Sequence, residues 1–187
     1  MTRVRKDPQE RREEILQTAK NLFDMFGFQQ ISMADIGEAS SLARSSLYEY
    51  FSSKEEIALK LLSGLAGPFE SMAIHGKKLE KRVTNLSKDS IRAATENVSL
   101  IKLYFEAYPS LDQASRNQAS EWQRTILNAF FEIYQDEKKL RLSASKAAYF
   151  SLGLVLQCIN DMVFSKSSLN IEEEAGLIAA FIMKGVD

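Results

Sequence analysis

The stretch A43-R-S-S-L-Y-E-Y-F-S-S-K-E-E-I57 decides how this chain reads. Leu47 and Phe51 stand four residues apart, so one helical face can bury them together. Arg44 and Tyr48 are also four apart and are rotated away from that pair. A core helix does not need an arginine, two serines and two tyrosines. A solvated helix does not need Leu47 and Phe51. The pattern predicts a short helix over 43–50 with one face packed inward and the other offered to a polar partner.

Working outward, the flanks supply the helices against which such an element packs. From Pro8 to Phe26 the apolar positions are Ile15, Leu16, Ala19, Leu22, Phe23 and Phe26, one face of an α-helix, with Gly27 suited to the residue just past its end. Ser32 can cap a second short helix with Asp35 at its third position, and Met33, Ile36 and Ala39 give its inner face. Ser40, Ser41 and Leu42 form a tight turn into the 43–50 helix. After it, Ser53 and Glu56 read as a capping box, with Ile57, Leu61 and Leu65 facing inward.

Two short helices joined by a three-residue turn behind a longer one form a tri-helical, DNA-binding pattern. Arg44 can reach a guanine edge or a phosphate. The hydroxyls of Ser45, Ser46, Tyr48 and Tyr50 can hold phosphate oxygens, contacts that position a helix without reading sequence. Lys54 opens the following helix, where free N–H groups also favour an anion. With Ser32, these residues form the candidate DNA-contacting set.

This stretch resembles the N-terminal domain of the tetracycline-repressor (TetR) family. Ile15, Leu16, Ala19, Leu22, Phe23 and Gly27 match the signature of its first helix. Ser32, Ile36, Leu47, Tyr48, Phe51, Lys54 and Glu55 match the string that follows. The likeness runs over roughly residues 10–62. Departures fall at the turn, where the family commonly has Ala-Gly-Val-Ser. Ser41 replaces a glycine suited to positive φ, which costs about 1 kcal/mol if that geometry holds. Ala43 cannot cap the helix it precedes. Ser45 stands where Gly is frequent, Gly37 where Ala is frequent, and the acidic Glu49 lies beside the proposed DNA face.

The totals fit this reading. The 187 residues are 45% hydrophobic and 26% charged, and only eight Gly and three Pro punctuate them, so long helices are expected and no strand stands out. The fold class expected is all-α: a helix-turn-helix domain over 1–55 and a helical bundle over 56–187. Helices are expected over 88–107, 112–137, 143–165 and 171–185, with a bend at Gly64, Gly67 and Pro68 and a polar run, Lys77–Arg82, between. Net charge is −1, but residues 1–12 hold five basic side chains against Asp7 and Glu10. The arm carrying Arg3, Arg5 and Lys6 is read either as a minor-groove arm or as a solvated tail.

A single cysteine, Cys158, allows no intrachain disulfide. No run of about 18 apolar residues and no secretory leader stands out, so no membrane partner and a cytoplasmic setting are expected. An enzyme would need a nucleophile–base pair, a metal set or a phosphate loop. One histidine, His75, and no G-x-x-x-x-G-K or H-E-x-x-H leave no catalytic, metal or cofactor expectation.

The resemblance implies a homodimer and a small-molecule effector pocket. Apolar surfaces at 147–164 and 175–183 support the dimer independently, with Leu152, Val155, Ile159, Met162, Leu177, Ile178 and Phe181 as candidate interface residues. Burial within one subunit is the competing reading. For the pocket, Met72, Tyr104, Phe105, Tyr108, Trp122 and Phe130 are the candidate residues, although aromatic stripes at helical spacing are more often plain core. Few charges interrupt them, so a mostly apolar ligand is expected. The function expected is a repressor that binds a pseudo-palindromic operator as a dimer and is released by such a ligand. The alternative is control by a protein partner.

Overall fold

In the computed structural model, which describes residues 7–137, 140–164 and 170–186, the chain is all-α, with no strand among the described residues. The helices are α1 (Pro8–Phe26), α2 (Met33–Ala39), α3 (Arg44–Tyr48), α4 (Lys54–Leu62), α5 (Gly67–Glu70), α6 (Leu79–Glu96), α7 (Val98–Ala107), α8 (Gln113–Ala119), α9 (Glu121–Gln135), α10 (Ala144–Phe164) and α11 (Ile171–Val186). Short 3₁₀ turns lie at Phe28–Gln30 and Tyr108–Ser110. The basic arm at Arg3, Arg5 and Lys6 lies outside the described residues.

The chain divides into two compact units, Met1–Gly64 with Lys102–Ala119, and Leu65–Ile101 with Ser120–Asp187. The expected boundary at 55/56 falls inside α4. That helix belongs with the first unit because Ile57, Ala58 and Leu62 are buried and α4 packs on α1 and α8.

In the first unit, Asp7 caps α1 by accepting from the Gln9 N–H at 2.7 Å, and Pro8 occupies the first turn, where a missing N–H costs nothing. Gly27, at φ 84°, ends the helix and donates to the Phe23 carbonyl at 2.8 Å. Ile15, Ala19 and Phe23 form the buried stripe, and Phe28 packs its ring 5.2 Å from that of Phe23. Phe26 is exposed, as is Met25. The stripe has drifted past both by the last turn.

In the second unit, α6 packs against α11, α10 and α9. Small residues at α6 (Ser87, Ser90, Ala94) and α11 (Ala175, Ala179) are buried, which suits close helix approach. The expected helix over 88–107 is two helices that meet at Asn97, and α6 begins earlier, at Leu79, with Val83, Asn85 and Leu86 buried. The expected helix over 112–137 likewise breaks at Ser120. The Tyr134 hydroxyl is 2.8 Å from Ser151 Oγ, and Ser151 donates to the Ala147 carbonyl at 2.9 Å. The serine proton is therefore used, and Tyr134 is the donor of the pair. Burial pushes the Tyr134 hydroxyl up to about 12.

Helix α10 is long and apolar enough to cross a membrane by length and composition, although only 33% of its apolar stretch is buried in the chain. Its buried stripe is Ala147, Ala148, Ser151, Leu152, Val155 and Ile159, whereas Tyr149 and Phe150 are exposed. Ser151, Gln157, Asn160 and Asp161 interrupt the helix, so it holds no unbroken run of about 18 apolar residues.

Candidate nucleic-acid interface

Ser32 and Asp35 close a capping box at the start of α2. The Asp35 N–H reaches Ser32 Oγ at 3.3 Å, and the Ser32 N–H reaches Asp35 Oδ2 at 2.8 Å. Hydrogen bonds from the Ser32 hydroxyl, and then its backbone N–H, hold the Asp35 carboxyl below its usual range. At the other end of α2 the chain turns through Ser41, at φ 53°, with the Leu42 N–H on the Gly37 carbonyl at 2.8 Å. Arg11 ties this turn to α1, donating to the Ser40 carbonyl at 3.0 Å and to Glu14 at 2.7 Å.

Ser41 thus occupies the left-handed region without being glycine. Such a conformation costs a side-chain-bearing residue about 1–2 kcal/mol. A glycine there would enlarge the unfolded ensemble, returning roughly 0.4–1 kcal/mol of that gain. Ser41→Gly is therefore expected to raise stability by about 0.5 kcal/mol, as a higher urea midpoint at unchanged slope.

Helix α3 is five residues long, shorter than the 43–50 expected, and Ala43 gives it no side-chain cap. What fixes it is packing. Leu47 is 0% exposed and Phe51 1%. Leu47 Cδ2 lies 3.7 Å from where a Cβ on Gly37 would stand, so α3 leans on α2 where α2 has no side chain. The Arg12 guanidinium covers the Phe51 ring at 4.3 Å and pairs with Glu56 at 3.3 Å.

The opposite flank is free. Arg44 and Ser45 are exposed, Tyr48 is 42% exposed, and Ser46 and Tyr50 are half-buried. The Arg44 guanidinium sits 5.7 Å from the Tyr48 ring centroid, a cation–π contact that pre-orders both side chains. An open concavity of about 530 Å³ is lined by Gln30, Ser32, Arg44, Tyr48, Ser53 and Lys54, among others. It joins the starts of α2 and α4 to the outer face of α3. Donors from three elements therefore converge on one surface, as phosphate and groove-edge contacts require.

Two sequence-based roles change. The Ser53 hydroxyl accepts from the Glu56 N–H at 3.1 Å, but the Glu56 carboxylate bonds the Ser52 N–H and hydroxyl, each at 2.7 Å, so the box at α4 is not closed. Partial burial raises the Glu56 pKa. The Ser52 bonds and Arg12 outweigh it and hold the carboxyl below its usual range. Lys54 lines the concavity, but its ammonium turns inward, donating at 3.0 Å to both the Phe28 and Ile31 carbonyls and lying 4.4 Å from the Phe28 ring. Its first task is structural. Gln30, exposed on the same rim, carried no motif by which the sequence would reveal it.

The candidate effector residues fall in both units. In the first, Tyr104 is buried, with rings of Phe105 and Tyr108 at 5.4 and 5.2 Å. In the second, Trp122 and Phe130 are core side chains, Trp122 packing on Phe69 at 5.2 Å, and Met72 is half-buried with the Ser90 hydroxyl 3.6 Å from its sulfur.

The candidate dimer residues also separate. Val155, Ile159, Leu152 and Ile178 are buried within the single chain, so they are core rather than free interface. Met162 is half-buried and lines a small cavity of about 150 Å³ with Ala94 and Val98. Leu177 and Phe181 are 58% and 66% exposed. They line an open groove of about 490 Å³ between α10 and α11 with Leu154, Gln157, Cys158 and Lys184. There, burial first and then the Glu174 carboxylate push the Cys158 thiol up to about 11.

Residues 15–61, which hold α2 and α3, match the family of bacterial regulatory proteins described as the tetR family. An uncharacterised HTH-type transcriptional regulator of Bacillus subtilis (strain 168), YfiR, is 39% identical over 62 residues. That match spans 33% of this chain and only 29% of YfiR. Three solved structures share the fold nearly end to end. PfmR, a TetR family transcriptional regulator of Thermus thermophilus, superposes with a TM-score of 0.68 at 22% identity over 92% of this chain and 98% of its own. The fatty acid degradation regulator FadR of Bacillus halodurans gives 0.70 at 17% over 97% of each chain. AibR, solved with isovaleryl coenzyme A and operator DNA, gives 0.67 at 18% over 91% of this chain and 97% of its own. At these identities the likeness shows the fold. Joined to the match over residues 15–61, it gives this chain an all-α fold whose helix-turn-helix head is similar to that of the tetR family of bacterial regulatory proteins.

Proposed function

We propose that the chain is a cytoplasmic repressor, apart from any membrane, that binds a pseudo-palindromic operator as a homodimer and is released by a small, mostly apolar effector. The observation that carries this reading is the split of α3 into a buried face, Leu47 with Phe51, and an exposed one, Arg44 with Tyr48. A dimer would set two such helices in successive major grooves about one helical turn, roughly 34–36 Å, apart. In support of the dimer, the exposed Leu177 and Phe181 are large apolar side chains on an apolar groove, a surface that water covers poorly.

The effector is assigned to the second unit, where Met72, Trp122 and Phe130 supply apolar side chains. AibR, of the same fold, carries an acyl coenzyme A in its structure, which supports a ligand with an apolar part. Coupling between the sites must be reciprocal: DNA must weaken effector binding by the factor by which effector weakens DNA binding. DNA binding belongs with α1–α4, and dimerisation with α10 and α11.

A band-shift titration against the DNA upstream of the chain's own coding sequence tests the reading. One duplex is expected to bind about 10³-fold more tightly than random sequence at roughly 0.15 M salt. Equal binding to both would overturn the proposal.

A further inference from the structure

We infer that Glu106, next to last in α7, is a positioning residue for DNA recognition: its carboxylate, by capturing the Phe28 N–H, fixes the loop from which α2 starts. The inference rests on the DNA-binding reading above.

The loop Gly27–Ile31 has to place its polar backbone groups without a regular helix to absorb them. The Phe28 N–H, at the start of the 3₁₀ turn, finds Glu106 Oε2 at 2.7 Å. Lys54 takes the Phe28 and Ile31 carbonyls from the other side, at 3.0 Å each. The Gln29 side-chain amide donates to the Glu106 backbone carbonyl at 2.9 Å, one of the end-of-helix acceptors that α7 cannot satisfy itself. Glu106 and the loop are thus joined reciprocally, side chain to backbone in both directions.

The carboxylate lies flat against Gly27. A Cβ there would stand 3.5 Å from Glu106 Oε2, in a conformation, φ 84°, that already favours glycine. Phe28 is fully buried, so the loop is anchored by its ring and aimed by its backbone bonds. Ile31 is followed directly by Ser32, the cap of α2, and Gln30 and Ser32 share the concavity with Arg44 and Tyr48. Releasing the Phe28 N–H frees the start of α2 to shift against α3. α7 is also the helix in which the chain passes from the second unit to the first, at Ile101–Lys102.

The test uses the full chain and two duplexes, the one selected upstream and a random one, titrated by fluorescence anisotropy at equal salt. A stoichiometric titration gives the active fraction, so a partly unfolded sample is not mistaken for a weaker one. Glu106→Ala is expected to weaken selected-duplex binding about tenfold, the equivalent of one charge-assisted hydrogen bond, and to leave random-duplex binding unchanged. Glu106→Gln keeps an oxygen that accepts the Phe28 N–H and is expected to restore most of that loss. Gln29→Ala, which removes the return bond and the longer one to Ser110 Oγ at 3.4 Å, is expected to weaken selected-duplex binding in the same direction and serves if Glu106→Ala does not fold. Selected-duplex affinity unchanged in Glu106→Ala, equal losses on both duplexes, or Glu106→Gln as weak as Glu106→Ala would overturn the inference. If Glu106→Ala does not fold, unchanged affinity in Gln29→Ala overturns it. A wild-type chain that does not tell the duplexes apart sinks the DNA-binding reading, and this one with it.

Discussion

Phe181→Glu is expected to convert a dimer of twice 21.1 kDa into a monomer and to weaken operator binding by at least about 100-fold. Phe181 is 66% exposed in the single chain, so a glutamate there disturbs little intrachain packing. In the proposed interface, α10 and α11 of each protomer meet their copies, and Phe181 stands on that face beside Leu177. A two-fold contact repeats every substitution, so two carboxylates would be buried where two phenyl rings had been. Breaking apolar contact and burying an unpaired charge each cost several kcal/mol, more than side-chain rearrangement recovers. Operator affinity follows because two half-sites held by one rigid dimer gain an effective concentration that independent heads lack. Sedimentation equilibrium checks the mass. An unchanged dimer would move the interface to another face.

Leu47→Ala is expected to lower stability by about 3 kcal/mol in urea unfolding, within the range for buried leucines. The residue is fully buried, and on its Gly37 side it meets no side chain that could move into the void. The five-residue α3 has no capping side chain and too few turns to persist alone, so its place depends on this packing. Tyr48→Ala, one residue along but exposed, is expected to change stability by less than about 0.5 kcal/mol. A loss under about 1 kcal/mol in Leu47→Ala would mean that α3 is held by something other than its apolar pair.

These contrasts show what the sequence made legible. The capped start of α2, the Gly27 stop and the Leu47/Phe51 pair follow from rules that act within one or two turns. Local spacing reveals them. The strained Ser41 was readable only through the resemblance, which sets it where the family commonly has glycine. The family signature in residues 10–62 sharpened the first three.

Other features depended on partners far along the chain. Lys54 reads as an exposed cation at a helix start, and only the fold brings the Phe28 and Ile31 carbonyls to its ammonium. Glu106 bonds a residue 78 positions away, and nothing near Glu106 marks it. In α10 and α11, apolar residues occupy more than one face. Periodicity finds both faces but does not say which one the chain buries itself. Val155 and Ile178 took the inner one, Leu177 and Phe181 the outer. The effector residues are the least legible, since an aromatic stripe serves a core and a pocket equally well.

The most direct test of the outer face of α3 is an anisotropy titration of one operator duplex with wild type and with the Arg44→Ala/Tyr48→Ala double variant, beside a thermal melt of each. Both side chains are exposed, so the melts should coincide, while operator affinity should fall about 100-fold. Affinity within about twofold of wild type, with the fold intact, would mean that this face does not hold DNA.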